Sequence, residues 1–135
     1  MDIVKLLKEH NQWILVTTNG SRDTKYWKEL RKYCNTVNFS AHFGSMSKHK
    51  GHENRFIDNV NTIIDWHNNT DDDFWIEIKL MTPPGWIDYA NNFKNKLNIN
   101  ELKLPGKNGR MKGCCSFVPI RDDNGIVSYS KEELE

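Results

Sequence analysis

The strongest constraint on the fold is the way strand patterns and amphipathic helical patterns alternate along the chain. A helical pattern at 2–9 comes first. Strand and helix patterns then follow one another in the order 12–18, 25–33, 36–42, 52–68, 74–81 and 86–96. Strands that alternate with helices are typical of a parallel sheet with right-handed crossovers. We therefore predict an α/β fold, a parallel sheet of consecutive βα units, with a short fourth strand at 102–104.

The length and charge of the chain limit its class. A chain of 135 residues fits one domain and can bury a core, so we predict a single domain over 1–135. Its last part, 106–135, is rich in glycine and turn residues and is predicted to be an irregular tail. The net charge of +1 offers no electrostatic argument for binding nucleic acid or a membrane surface, and we expect neither partner.

Three cysteines bear on the compartment. Cys34, Cys114 and Cys115 are odd in number and two are adjacent, which is not the pattern of a disulfide framework. No apolar run approaches the length of a membrane span, and the first residues lack the layout of a secretory signal. These features predict a cytoplasmic protein.

Polar residues occupy one face of each of the three predicted strands. Because side chains alternate along a strand, each strand has one apolar face for the helices and one polar face. A sheet buried on both faces would be apolar throughout. A polar inner face suits a barrel whose interior holds a ligand. The alternative is that these residues only satisfy one another, with His42 hydrogen-bonded in the core. The residues on this face are Thr17, Asn19, Ser40, His42, Glu77 and Lys79.

The strand ends carry a resemblance to a known family. The first strand ends in Thr-Thr-Asn-Gly-Ser at 17–21, the second in Asn-Phe-Ser-Ala-His at 38–42, and the third in Lys-Leu-Met-Thr-Pro at 79–83. Over about residues 1–105 this order resembles the middle of the radical S-adenosylmethionine (radical SAM) core. The resemblance implies an arc of a partial (β/α)6 TIM-like barrel that contains its third to sixth strands.

The resemblance also implies a function. Enzymes of this family cleave S-adenosylmethionine reductively to a radical, which abstracts hydrogen from a substrate. Thr17, Asn19, Ser40 and His42 match cofactor-contacting positions at the ends of the family's third and fourth strands. Lys79 would meet a carboxylate of the cofactor or of the substrate, which would be a small molecule or a peptide.

The chain departs from the family at its iron–sulfur site. The family holds a four-iron four-sulfur cluster through C-x3-C-x2-C, and this spacing does not occur here. The family's glycine-glycine-glutamate motif is also missing, and both motifs would lie upstream of Met1. A capping box, Ser130 with Glu133, opens a helix close to the last residue. We therefore expect this chain to be a piece of a longer protein that has no metal ligands of its own and is inactive alone. Its expected partner is the N-terminal half of the same barrel.

Other interpretations remain open. The chain could be a non-catalytic binding or interaction module, or one half of a split enzyme. His49 and His52 with Cys114 and Cys115 suggest a zinc site, but their spacing matches no closed site. A basic Gly-rich segment suggests phosphate or nucleic acid, although a solvated loop is favoured because the order of a P-loop is missing. Its basic residues are Lys103, Lys107, Arg110 and Lys112.

Overall fold

The computed structural model of the protein describes residues 2–49, 51–69, 74–103, 112–119 and 129. Its strands are β1 (Leu15–Thr18), β2 (Thr36–His42), β3 (Trp75–Thr82) and β4 (Gly113–Pro119). Its helices are α1 (Asp2–Glu9), α2 (Thr24–Leu30), α3 (Phe43–Met46), α4 (His52–Asn68) and α5 (Ile87–Lys94), with a 3-10 helix at Ile99–Lys103. Among the described residues, no helix has the length and apolar character needed to cross a bilayer.

The four strands form one parallel sheet in the sequential order β1-β2-β3-β4. The prediction of an α/β fold with a parallel sheet of consecutive βα units is therefore confirmed. Strand register aligns the side chains in rows across the sheet. One row runs from Thr17 through Asn38 and Glu77 to Cys114. Side chains in one row are neighbours on the same face of the sheet, so they can contact the same ligand.

One face of the sheet is apolar and carries the helices. Alternation along β2 and β3 places Phe39 and Ile78 on this face, and neither is exposed to solvent. Trp27 of α2 and Phe56 of α4 both contact Phe39, with ring centroids 5.5 and 5.9 Å away. Phe93 of α5 continues the cluster at 5.6 Å from Phe56. Three helices thus pack on the same side of the sheet.

The opposite face is polar and partly open to solvent. Thr17 and Cys114 are exposed, and Ser40, Glu77 and Lys79 are half-buried. A sheet with helices on one side and polar side chains on the other agrees with the alternation in the sequence.

The fourth strand is not where the sequence predicted it. Residues 102 and 103 belong to the 3-10 helix, and residue 104 lies outside the described residues. Leu102 is an apolar core residue, 1% exposed, which explains the apolar signal there. The fourth strand is β4, inside the segment predicted to be irregular. The rest of 106–135 lies outside the described residues, apart from Lys112 and Tyr129.

Gly113 shows why the β4 segment looked irregular. A Cβ at this position would lie 2.0 Å from the carbonyl oxygen of Ile76, so the close pairing with β3 requires glycine. Glycine, two cysteines and serine open this strand, a composition with little β-propensity. The pairing with β3 rather than local preference therefore makes this segment a strand.

Candidate functional site

The turn after β1 has a shape that its own side chains stabilise. The Thr18 hydroxyl accepts a hydrogen bond from the Gly20 amide at 3.0 Å, and the Asn19 side chain accepts one from the Ser21 amide at 3.1 Å. Gly20 has φ +69°, and a Cβ there would lie 2.8 Å from the Phe56 ring. Glycine is needed both for this backbone conformation and for the close approach.

Three polar residues on one face of α4 bind the carbonyl groups of this turn. His52, Arg55 and Asn59 are spaced at i, i+3 and i+7, so they share a helix face. The His52 ring lies 3.2 Å from Asn19 O, and the Arg55 guanidinium donates to Ser21 O at 3.1 Å. The Asn59 side-chain amide donates to both Gly20 O and Arg22 O, at 2.8 and 2.7 Å. This contact was not predicted from the sequence. The helical spacing of the three polar residues was the available signal.

Asn19 therefore lies off the strand rather than in the predicted polar row. Its side-chain oxygen is used within the turn and its carbonyl oxygen is directed to α4. Thr17, by contrast, remains in β1 on the open face, beside Asn38 in register. Of the two predicted cofactor contacts from this strand, Thr17 is on the polar face and Asn19 is at the carboxyl edge.

Asn38 lies on the open face, and the predicted site did not include it. It is 8% exposed, and its side-chain oxygen has no hydrogen-bond partner among the described residues. A buried acceptor without a partner costs about 1–3 kcal/mol. The strand alternation had placed it with Ser40 and His42, which was the available signal. A ligand that donates a hydrogen bond at this point would satisfy the oxygen.

A second row lies one step closer to the carboxyl edge. Ser40 is aligned with Lys79, and Lys79 with Ser116. The Lys79 ammonium lies 3.5 Å from the Glu77 carboxylate, and both side chains are partly exposed. An exposed ion pair contributes little to stability, so the Lys79 charge stays available for an anionic group.

His42 ends β2 and is exposed. The alternative in which this imidazole is hydrogen-bonded in the core is therefore wrong. His42 precedes α3 without making a side-chain cap. It lies in register with Met81 at the carboxyl edge. Thr17, Ser40, His42 and Lys79 thus share one face of the sheet.

The cysteines do not form a ligand set. Cys34 is buried, and this burial raises the pKa of its thiol to about 11. Partial loss of hydration, and then the nearby Glu77 carboxylate, raise the pKa of the exposed Cys114 thiol. Cys115 follows Cys114 in β4, so the two side chains point to opposite faces. Thiolates placed in this way do not fit a four-iron four-sulfur cluster.

Two further interpretations of the sequence concern metals and phosphate. No group of three or more His, Cys, Asp or Glu residues suited to a metal ion occurs among the described residues, which gives no support to the zinc interpretation. In the basic Gly-rich segment, Lys107 and Arg110 lie outside the described residues, as does the capping box at Ser130. Lys112 donates to Asn68 at 2.8 Å.

Comparison of the chain with protein-family profiles, with curated proteins and with solved structures finds no match. A function for this chain is therefore inferred mainly from the arrangement of side chains on the polar face of the sheet.

Proposed function

We propose that this chain binds S-adenosylmethionine on the open face of its sheet, as a segment of a radical SAM enzyme. The observation that carries the proposal is the one-sided sheet, with four parallel strands in sequential order, helices on one face and polar residues in register on the other. In a βα barrel the helices lie outside and the other face points inward. An arc of a partial (β/α)6 barrel has this arrangement.

The chemistry of the face suits this cofactor. S-adenosylmethionine offers hydrogen-bond donors in its adenine amine, its ribose hydroxyls and its ammonium group. The unpartnered oxygen of Asn38 would accept one of them, and the hydroxyls of Thr17 and Ser40 can donate or accept. Lys79 would leave its ion pair with Glu77 and pair instead with the carboxylate of the cofactor or of the substrate. His42 and Asn19 would contact the ligand at the carboxyl edge.

The reductive step needs a group that this chain does not hold by itself. A four-iron four-sulfur cluster would supply the electron for cleavage. The three cysteines do not fit it, since Cys34 is in the core and Cys114 and Cys115 face opposite ways. Its thiolate ligands would come from another segment, such as the N-terminal half of the same barrel. In this proposal the chain binds and orients the cofactor but does not cleave it alone.

Calorimetric titration of the purified chain with S-adenosylmethionine tests the proposal. Removing the Lys79 charge in Lys79→Met, or the Thr17 hydroxyl in Thr17→Val, should weaken binding about tenfold, near 1.4 kcal/mol. Lys28→Met is the matched control, because Lys28 is exposed on the helix side. No heat of binding, or equal affinity in all four proteins, would contradict the proposal.

The Asn38→Leu variant tests whether Asn38 contacts the ligand or only stabilises the fold. Leucine has a similar size and no acceptor, so it removes the cost of the unpartnered oxygen. We expect an unchanged or higher free energy of unfolding, by up to about 1–3 kcal/mol, together with lost S-adenosylmethionine binding. A purely structural Asn38 would give lower stability and unchanged affinity.

One half of a split enzyme is the second candidate, and it is favoured by the surface beside β1. Trp13 and Leu15 are 71% and 54% exposed there, as large apolar side chains that a neighbouring chain would cover. Co-expression with a segment that carries C-x3-C-x2-C distinguishes this from a non-catalytic module. A stable complex with S-adenosylmethionine cleavage supports the split enzyme, whereas ligand binding without a complex supports the module.

A further inference from the structure

A cleft of about 250 Å³ lies between the turn after β1 and the start of α4. It is lined by Ser21, His49, Gly51, His52 and Arg55. These residues belong to the carboxyl edge of the sheet, where β1 ends and α4 begins. They are different from the residues of the open sheet face, so the cleft is a separate place in the molecule.

Three of the five lining residues carry basic side chains, and none carries a carboxylate. Two acidic side chains close by in the sequence have other partners. Glu53 accepts from Lys96 at 3.0 Å and from the Tyr89 hydroxyl, and Asp23 caps α2 by accepting from the Tyr26 amide. The wall of the cleft therefore holds the Arg55 charge and two imidazole rings but no carboxylate, which favours an anion.

The basic side chains are oriented but keep unused donors. His52 bonds Asn19 O through Nε2, and Arg55 bonds Ser21 O through Nη1 alone. The rest of the Arg55 guanidinium, the His49 ring and the Ser21 hydroxyl have no side-chain partner among the described residues. A guanidinium with free N–H groups matches the geometry of phosphate oxygens. The two backbone bonds reduce the conformational entropy that binding would cost.

We propose that this cleft binds the phosphate group of a phosphate monoester. Water occupies about 30 Å³ per molecule in the liquid, so the cleft has the volume of roughly eight waters. That exceeds a phosphate ion and leaves room for the group that carries it. The inference goes beyond the proposed function, because S-adenosylmethionine contains no phosphate. It implies a second, phosphorylated ligand at the same edge of the sheet.

Holding the turn does not by itself explain these residues. Asn59 is fully buried and already binds two of the turn's carbonyl oxygens. Exposed charged side chains add little stability to such a contact. His49 lines the cleft but makes no hydrogen bond to the turn in the described part of the chain, so holding the turn does not explain its position.

Nuclear magnetic resonance of the nitrogen-15-labelled 15.9 kDa chain tests the inference, with inorganic phosphate as the first probe. We expect saturable shifts of the amide signals of residues 19–23, 49 and 51–55. Sodium chloride at matched ionic strength should not reproduce them. Unsaturable shifts, or the same shifts with chloride, would overturn the proposal, because they would mean only non-specific screening.

Matched variants assign the contacts. His49→Gln and Arg55→Gln should weaken phosphate binding about fivefold and tenfold, because each removes a hydrogen-bond donor to the anion and Arg55→Gln also removes a fixed positive charge. Lys28→Gln also removes one positive charge, on α2, and should leave the affinity within about twofold. Equal weakening in Lys28→Gln and His49→Gln would contradict a defined site. His49→Gln keeps the test valid if Arg55→Gln loosens the turn, which thermal unfolding would show.

Ribose 5-phosphate and adenosine 5′-monophosphate then distinguish the source of the phosphate. Either monoester should bind more tightly than inorganic phosphate, and a preference for the nucleotide would identify a nucleotide ligand. Tighter binding of inorganic phosphate would show the monoester assignment to be wrong. S-adenosylmethionine should not displace phosphate in the same titration. Failure of phosphate binding with intact S-adenosylmethionine binding would overturn this inference alone.

Discussion

The side-chain amide of Asn59 donates to the carbonyl oxygen of Gly20 at 2.8 Å and so joins α4 to the turn after β1. The same amide donates to Arg22 O at 2.7 Å, and its oxygen accepts from the Thr24 hydroxyl at 2.8 Å. One buried side chain therefore satisfies two turn carbonyls and contacts the first residue of α2. The position of Asn19 at the carboxyl edge of β1 and the cleft beside it depend on the shape that it stabilises.

Replacing Asn59 by alanine should strongly destabilise the protein. The change leaves the buried Gly20 carbonyl oxygen without its donor and removes one of two donors to Arg22 O, where the Trp27 indole N–H remains at 3.3 Å. We expect the free energy of unfolding to fall by about 2–4 kcal/mol. Chemical denaturation measures it, with Asn54→Ala on the exposed side of α4 as control. A loss in Asn59→Ala no greater than in the control would show that these bonds contribute little.

Gly20→Ala should destabilise the chain, whereas Gly44→Ala should not. Alanine at residue 20 must adopt φ +69°, and its Cβ would lie 2.8 Å from the Phe56 ring. The backbone conformation costs about 1–2 kcal/mol, and the overpacking adds about 1–3 kcal/mol. A Cβ on Gly44 meets no atom within 4 Å, and in a helix alanine is preferred by up to about 1 kcal/mol. Thermal unfolding of both variants compares them, and equal melting temperatures would contradict the assignment.

Stability should fall in alkaline solution because of Cys34. Burial raises the pKa of this thiol from 9.0 to about 11, so between these values the folded protein binds more protons than the unfolded chain. The stabilisation is complete below pH 9 and is lost as the pH rises towards 11. At pH 10.5 the loss relative to pH 8 is about 2 kcal/mol.

Urea unfolding of the natural protein and of Cys34→Ala at the two pH values isolates this contribution. Lysine and tyrosine side chains titrate in both proteins, so their effects cancel in the comparison. The variant should lose about 2 kcal/mol less than the natural protein between pH 8 and pH 10.5. Parallel losses would mean that the Cys34 thiol ionises as readily in the folded protein as in the unfolded chain.

The free edge of β1 should cause self-association. In the described part of the chain β1 pairs with β2 only, and Leu15 is 54% exposed on its open face. An apolar edge without proline or charge tends to pair with other chains. Size-exclusion chromatography with light scattering should show species above 15.9 kDa, and Leu15→Lys should shift them to the monomer.

Phe117→Lys on β4, the strand at the other end of the described sheet, is the control for this experiment. It should leave the association unchanged, because Phe117 is less exposed than Leu15 and lies on the face that carries the helices. A monomeric natural protein, or dissociation by Phe117→Lys instead, would contradict association through β1.

Alternation along two strands was enough to assign the faces of the sheet. In β2 and β3 the residues Val37, Phe39, Ile76 and Ile78 alternate with polar neighbours, and all four are buried. Period-two patterns are local, so they can be read without knowing the fold. The same local signals placed Thr17, Ser40 and Lys79 on one polar face, which the structure describes, although binding at these residues is still a prediction.

Contacts between distant segments could not be read in the same way. The position of β4 depends on Gly113 fitting against the Ile76 carbonyl, and its composition resembles a loop. The unpartnered oxygen of Asn38 and the cleft at His49 and Arg55 also follow from packing between separate elements. The order of the βα units and the polarity of each strand face could thus be read from local sequence, because they depend on neighbours a few residues away. The position of the fourth strand, the hydrogen bonds from α4 to the turn after β1, and the cleft could not, because each requires atoms far apart in the chain to meet within a few ångströms.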